Sequence, residues 1–267
     1  MTASNGIVIV TGAGRGIGLQ TVLSLRRDHG ASVLALARNE EQLRQLVSET
    51  ARMPGALRTL QVDLTSADAV LATLSALGGD QVSGLVNNAG LFMKRSFGNW
   101  TLEDLAEVFK VNAHLPFLLV QALRERFTRE HPAHVVNIAS MGGFQGAAKF
   151  PELAGYSASK SALVGYTECL AEEMKERGVR CNCLALGAVD TEMFREAFPG
   201  FQAPLTAMEV GKFIAHFVLK GHNLFNGKVL PLAFEHSLRL DVKKILAPCG
   251  SYVPSIYICT RFNGIVL

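Results

Sequence analysis

The stretch Ile7-Val8-Ile9-Val10-Thr11-Gly12-Ala13-Gly14-Arg15-Gly16-Ile17-Gly18 decides the fold. Four branched apolar residues in succession read as a buried strand, and the glycines after them let the backbone turn tightly into a helix. Free N–H groups at such a helix start stabilise a pyrophosphate, which side chains at the turn would hold at a distance. The pattern T-G-x-x-x-G-x-G fits residues 11–18, whereas G-x-G-x-x-G fails, ending on Ile17 when counted from Gly12 and on Leu19 when counted from Gly14. No G-K-[ST] follows, which argues against a nucleotide hydrolase of the P-loop type.

Outward from this junction, short apolar runs recur at 33–37, 85–86, 135–139 and 180–185. Between them, apolar residues fall at helical spacing over 19–27, 39–50, 67–77, 101–111 and 157–177. Parallel strands need crossover connections that cover both faces of their sheet. The alternation therefore predicts an α/β fold, a doubly wound parallel sheet of Rossmann type, as a single domain over residues 1–234 with its ligand crevice at the carboxyl ends of the strands. Residues 235–267 carry no helical period and read as a tail of unknown role.

Composition narrows the function classes. Of 267 residues, 49% are hydrophobic and 18% charged, which excludes a disordered or fibrous chain. A net charge of +3 is too small for a nucleic-acid or anionic-membrane footprint, so phosphate binding must be local. Five cysteines without a C-x-x-C pair support neither a disulfide framework nor a zinc site, and a reducing cytosol is expected. No metal is expected either: His131 and His134 read as loop residues without a third ligand at a recognisable spacing. The start of the chain shows no basic segment followed by a long apolar stretch, so neither a signal peptide nor a membrane span is expected.

The second strand ends at Ala37-Arg38, where a dinucleotide fold reads the adenosine ribose. An acid there would accept from a free 2′-hydroxyl and repel a 2′-phosphate. Arg38 instead offers a permanently charged donor fork, and Arg15 in the loop could reach the same group, so NADP(H) is expected to be preferred over NAD(H). Tyr156 and Lys160 stand four residues apart, hence neighbours on one helix face. A free phenol is ionised only about one part in a thousand at neutral pH, so a nearby cation would be needed to favour the phenolate.

Together, TGAGRGIG at 11–18, Asp63-Leu64, NNAG at 87–90, Asn112 in KVNAH, Ser140 and YSASK at 156–160 resemble the short-chain dehydrogenase/reductase family, 3-oxoacyl-carrier-protein reductases among its members. The resemblance implies that Tyr156 is the acid/base, that Lys160 tunes it and holds the nicotinamide ribose, and that Ser140 hydrogen-bonds the substrate oxygen. It implies that Asn112 interrupts its helix and anchors a water leading from Lys160 to solvent. For the cofactor, it assigns Gly12, Arg15, Gly16, Ile17 and Gly18 to the pyrophosphate and Asp63 and Leu64 to the adenine. Asn88, Ala89 and Gly90 line the trough, and Val189 and Thr191 meet the carboxamide and phosphate side.

The family's substrates are small carbonyl compounds or alcohols, and Phe194, Phe198 and Phe201 would make an apolar lid. The family also implies a homodimer or homotetramer. Leu186-Gly187 replaces the usual Pro-Gly, and the Ser140 to Tyr156 gap of 16 residues exceeds the commonest spacing, so 141–155 should wall the substrate. A non-catalytic NADP(H) sensor is the competing class, although both Tyr156 and Lys160 are retained.

Overall fold

A computed structural model describes residues 6–66, 68–129 and 132–233. The two units of the chain are residues 1–234 and 235–267; the tail, His131, Cys249 and Cys259 lie outside the described residues.

In chain order, the elements begin with β1 (Ile7–Thr11), α1 (Gly16–His29), β2 (Val33–Ala37), α2 (Glu40–Thr50), β3 (Leu57–Gln61), α3 (Ala69–Leu77) and β4 (Val82–Asn87). Next come α4 (Leu102–Phe109), α5 (Leu115–Leu123), β5 (Ala133–Ser140), α6 (Ala154–Glu173) and β6 (Val179–Leu186). The last are β7 (Val189–Asp190), α7 (Glu192–Ala197), β8 (Leu205–Thr206), α8 (Ala207–Lys220) and β9 (Val229–Leu232). Seven strands form one sheet in the order β3-β2-β1-β4-β5-β6-β9, every neighbouring pair parallel. The order reverses direction between β1 and β4, which opens a crevice at their carboxyl ends.

The unbroken apolar run of β1 follows from burial on both sides. Ile7 and Ile9 pack with Leu85, Leu119 and Leu123 on one face, while Val8 and Val10 pack with Val22, Leu25 and Ile214 on the other. The α1 helix starts directly from the loop and ends on Gly30, whose φ of 61° is the left-handed conformation that glycine adopts without a Cβ penalty. Beside it, α8 opens with a capping box between Thr206 and Glu209. The two helices touch so closely that a Cβ on Gly211 would lie 2.6 Å from Gln20 Cβ.

His134 is a core residue, correcting its reading as a loop residue. It sits on β5 with no exposed surface. Its Nδ1 faces the carbonyls of Phe217 at 3.0 Å and Val218 at 3.2 Å, so this nitrogen carries the proton. Nε2 then accepts from Asn182 Nδ2 at 2.9 Å. Among the described residues, no group of three or more His, Cys, Asp and Glu could hold a metal ion, and no helix is long and apolar enough to cross a membrane.

Candidate active site

Thr11, the last residue of β1, fastens the crevice. Its Oγ1 accepts from the backbone N–H groups of Asn88 and Ala89, each at 3.0 Å, so the turn after β4 hangs on β1. Asn88 returns the tie, its Nδ2 donating to the Thr11 carbonyl at 2.9 Å and the Gly12 carbonyl at 3.3 Å. Gly12 has φ 66°, and a Cβ there would come within 3.0 Å of Ala89 Cα and of Asn88 Nδ2. A Cβ on Gly18 would collide with the Gly12 carbonyl oxygen. Ala13 N–H donates to the Leu36 carbonyl at 2.9 Å, holding the loop against β2, and Ile17 packs into the core below. The loop is therefore a bare backbone cradle at the start of α1, a form that fits a pyrophosphate.

At the adenosine end, Ala37 closes β2 and Arg38 stands exposed beyond it. Asp63 Oδ1 accepts from the Thr65 backbone at 2.8 Å and the Thr65 hydroxyl at 2.9 Å. Those bonds, with a smaller contribution from the Arg38 charge, hold its carboxyl below the ordinary range. Leu64 is buried beside it.

Asn112 occupies a π-helical turn, Lys110–His114, between α4 and α5, so the helix is interrupted where the resemblance requires. Fully buried, it clamps Leu91 in both directions: Oδ1 accepts from Leu91 N–H at 2.8 Å and Nδ2 donates to the Leu91 carbonyl at 2.9 Å. The same Nδ2 reaches Ser159 Oγ at 3.0 Å, and Ser159 donates to the Tyr156 carbonyl at 2.7 Å. A Cβ on Gly90 would lie 3.4 Å from both Asn112 Oδ1 and Lys160 Nζ, so the two side chains converge on the glycine of the turn.

Ser140 ends β5, its Oγ accepting from Gly142 N–H at 3.1 Å, and its hydroxyl stands beside the Tyr156 phenol. One turn along α6, buried Lys160 donates from Nζ to the Ile138 carbonyl at 2.8 Å. Burial pushes the Lys160 ammonium down to about 8. Burial also raises the Tyr156 phenol, and the neighbouring Ser140 hydroxyl only partly offsets that. Without the nicotinamide, desolvation outweighs the Ser140 contribution and favours the neutral phenol.

Val189 and Thr191 enter at the far side of the loop. Thr191 caps α7 through Phe194 N–H at 3.1 Å, and its Cγ2 would lie 3.5 Å from a Cβ on Gly16. The rings of Phe194 and Phe198 are 5.3 Å apart. Phe201 remains exposed and has no ring contact among those of the described residues. Sequence reasoning missed Phe92, whose ring stands 5.0 Å from that of Tyr156 and 5.9 Å from that of Phe198. Its signal was its place two residues after the NNAG turn.

Phe150 and Pro151 line a cavity of about 450 Å³ with Trp100, Ser157 and Ser161, and that lining includes neither Ser140 nor Tyr156. Ser157 and Ser161 lie on a different face of α6 from Tyr156 and Lys160.

The model of the short chain dehydrogenase family matches residues 6–200. An L-xylulose reductase of Caenorhabditis elegans is 34% identical over 190 residues, 71% of this chain and 74% of that protein. A 3-oxoacyl-[acyl-carrier-protein] reductase of Synechocystis is 31% identical over 189 residues, 70% of this chain and 75% of that one. A short chain dehydrogenase from Burkholderia cenocepacia, solved in complex with NADP, superposes with TM-score 0.76 at 25% identity over 86% of this chain and 97% of its own. A 4-hydroxyisoleucine dehydrogenase complexed with NADH shares the fold at TM-score 0.74 and 24% identity, over 86% of this chain and 97% of that one. With the cradle, the parallel sheet and the family match in agreement, the chain belongs to the short-chain dehydrogenase family, oxidoreductases built on a nicotinamide-cofactor fold.

Proposed function

We propose that this protein is an NADP(H)-dependent oxidoreductase that interconverts a ketone or aldehyde with its alcohol. One observation carries the reading: Ser140, at the carboxyl end of β5, stands beside the Tyr156 phenol, with Lys160 one helical turn away and the glycine cradle alongside. Bound in the trough, the nicotinamide supplies or accepts the hydride. The protonated Tyr156 phenol gives its proton to the substrate oxygen in reduction and takes it back in oxidation. Ser140 donates to the same oxygen and stabilises charge developing there. Lys160 holds a positive charge beside this pair and holds the ribose, while Asn112 fixes Leu91 and the turn against which both work and anchors a water toward solvent.

Gly12, Arg15, Gly16, Ile17 and Gly18 hold the pyrophosphate, Asp63 and Leu64 the adenine, and Asn88 to Gly90 with Val189 and Thr191 the nicotinamide half. The preference for NADP(H) is supported by Ala37 and Arg38, since solved proteins of this fold carry either cofactor. An apolar carbonyl compound fits the aromatic side of Tyr156 made by Phe92, Phe194 and Phe198. The enzyme is further proposed to be cytosolic and a homodimer or homotetramer.

The test follows NADPH absorbance with a panel of carbonyl compounds, for wild type and Tyr156→Phe. Wild-type turnover that falls by about 10²- to 10⁴-fold in the variant, with NADPH binding kept, is expected. Equal oxidation by both proteins defeats the mechanism. Binding without turnover in either supports the sensor reading instead.

A further inference from the structure

Arg15, the charged residue of the phosphate loop, is already engaged. Its Nη1 donates to Glu192 Oε2 at 2.6 Å, and Glu192 is the first residue of α7, the helix that carries Phe194 toward Phe198, Phe92 and Tyr156. Both side chains are about half exposed, 48% and 54%, so a solvated ligand can compete for the pair. The loop beside Arg15 abuts the end of β2: a Cβ on Gly14 would lie 3.2 Å from Ala37 Cβ, which places Arg15 and Arg38 on the same flank of the crevice. The lid helix has independent anchors. Thr191 caps it, and Arg195 pairs with Asp190 at 2.5 Å, so α7 keeps its first turn when Glu192 lets go.

We propose that Glu192 is a cofactor-selectivity residue that holds Arg15 against the lid until an adenosine 2′-phosphate takes the arginine from it. A dianionic phosphate offers Arg15 more acceptor oxygens and more charge than one carboxylate does. A cofactor with a free 2′-hydroxyl offers neither and leaves the pair closed. The lid helix is then tied to the phosphate loop when NAD(H) is bound and released from it when NADP(H) is bound. The inference rests on the NADP(H) reading above and assigns to it a residue outside the dinucleotide fingerprint.

The test uses two fragments without nicotinamide, 2′,5′-ADP and 5′-ADP, titrated calorimetrically into wild type and Glu192→Gln. The variant is expected to bind 2′,5′-ADP about fivefold more tightly than wild type, the size set by an exposed ion pair, with 5′-ADP unchanged. Hydrogen exchange gives a second readout: 2′,5′-ADP, and not 5′-ADP, is expected to speed exchange at 192–198 in wild type. Equal tightening of both fragments, or of neither, overturns the proposal. If wild type prefers 2′,5′-ADP and the variant is unchanged, the cofactor reading stands and the role of Glu192 falls. If neither protein distinguishes the fragments, both fall.

Discussion

Lys160 donates to the Ile138 carbonyl at 2.8 Å, so the buried cation is moored to the strand that ends two residues later in Ser140. The bond couples helix α6 to strand β5 at the level of the site and fixes the ammonium near the cofactor trough.

Burial lowers Lys160 from 10.5 to about 8, so within that window the unfolded chain binds a proton that the folded chain has released. Stability therefore rises with pH through it. The unfolding free energy of wild type minus that of Lys160→Met is expected to grow on the order of 3 kcal/mol across the window. Denaturant titrations at successive pH values measure the difference, and a flat line would refute a desolvated ammonium.

His134 works in the acid direction. Burial takes it from 6.5 to about 3, with the His222 ring 5.8 Å away opposing its charge as a smaller cause. Below pH 6.5 the unfolded chain gains a proton that the fold refuses, and stability should fall by up to about 1.4 kcal/mol per pH unit. His134→Gln should lose this slope while costing about 1–3 kcal/mol at neutral pH, because the Phe217 and Val218 carbonyls lose their donor. An acid limb identical in both proteins would count against the assignment.

Phe92 predicts substrate choice. Replacing it with alanine removes the ring beside Tyr156 and the contact of that ring with Phe198. For an apolar carbonyl, kcat/KM is expected to drop about tenfold, mostly through KM, with a smaller change for a short polar substrate. Equal losses for both would show that Phe92 supports Tyr156 rather than reading the substrate.

The central strands were legible because burial on both faces leaves an unbroken apolar run, as in Ile7 to Val10. The edge strand β3 was not, since Leu57-Arg58-Thr59-Leu60-Gln61 meets solvent and mixes polar with apolar residues. Ser140, Tyr156, Lys160 and Asn112 could be found because they stand in motifs, and the structure brings all four to one crevice. Phe92 and Glu192 escaped because their roles depend on partners 64 and 177 positions away, Tyr156 and Arg15, which no local pattern records.

The π-helical turn at Asn112 also sets rotational phase. One extra residue taken up in a wide turn leaves the following helix about 100° behind regular winding. The α5 helix buries Leu115, Leu119 and Leu123, while α4 before the turn buries only Val108. Deleting one residue from 110–114 would restore an even winding with the leucines of α5 still on the sheet, and would move the asparagine off Leu91. The widened turn thus lends the site a residue that the helices on either side of it do not need for their own winding.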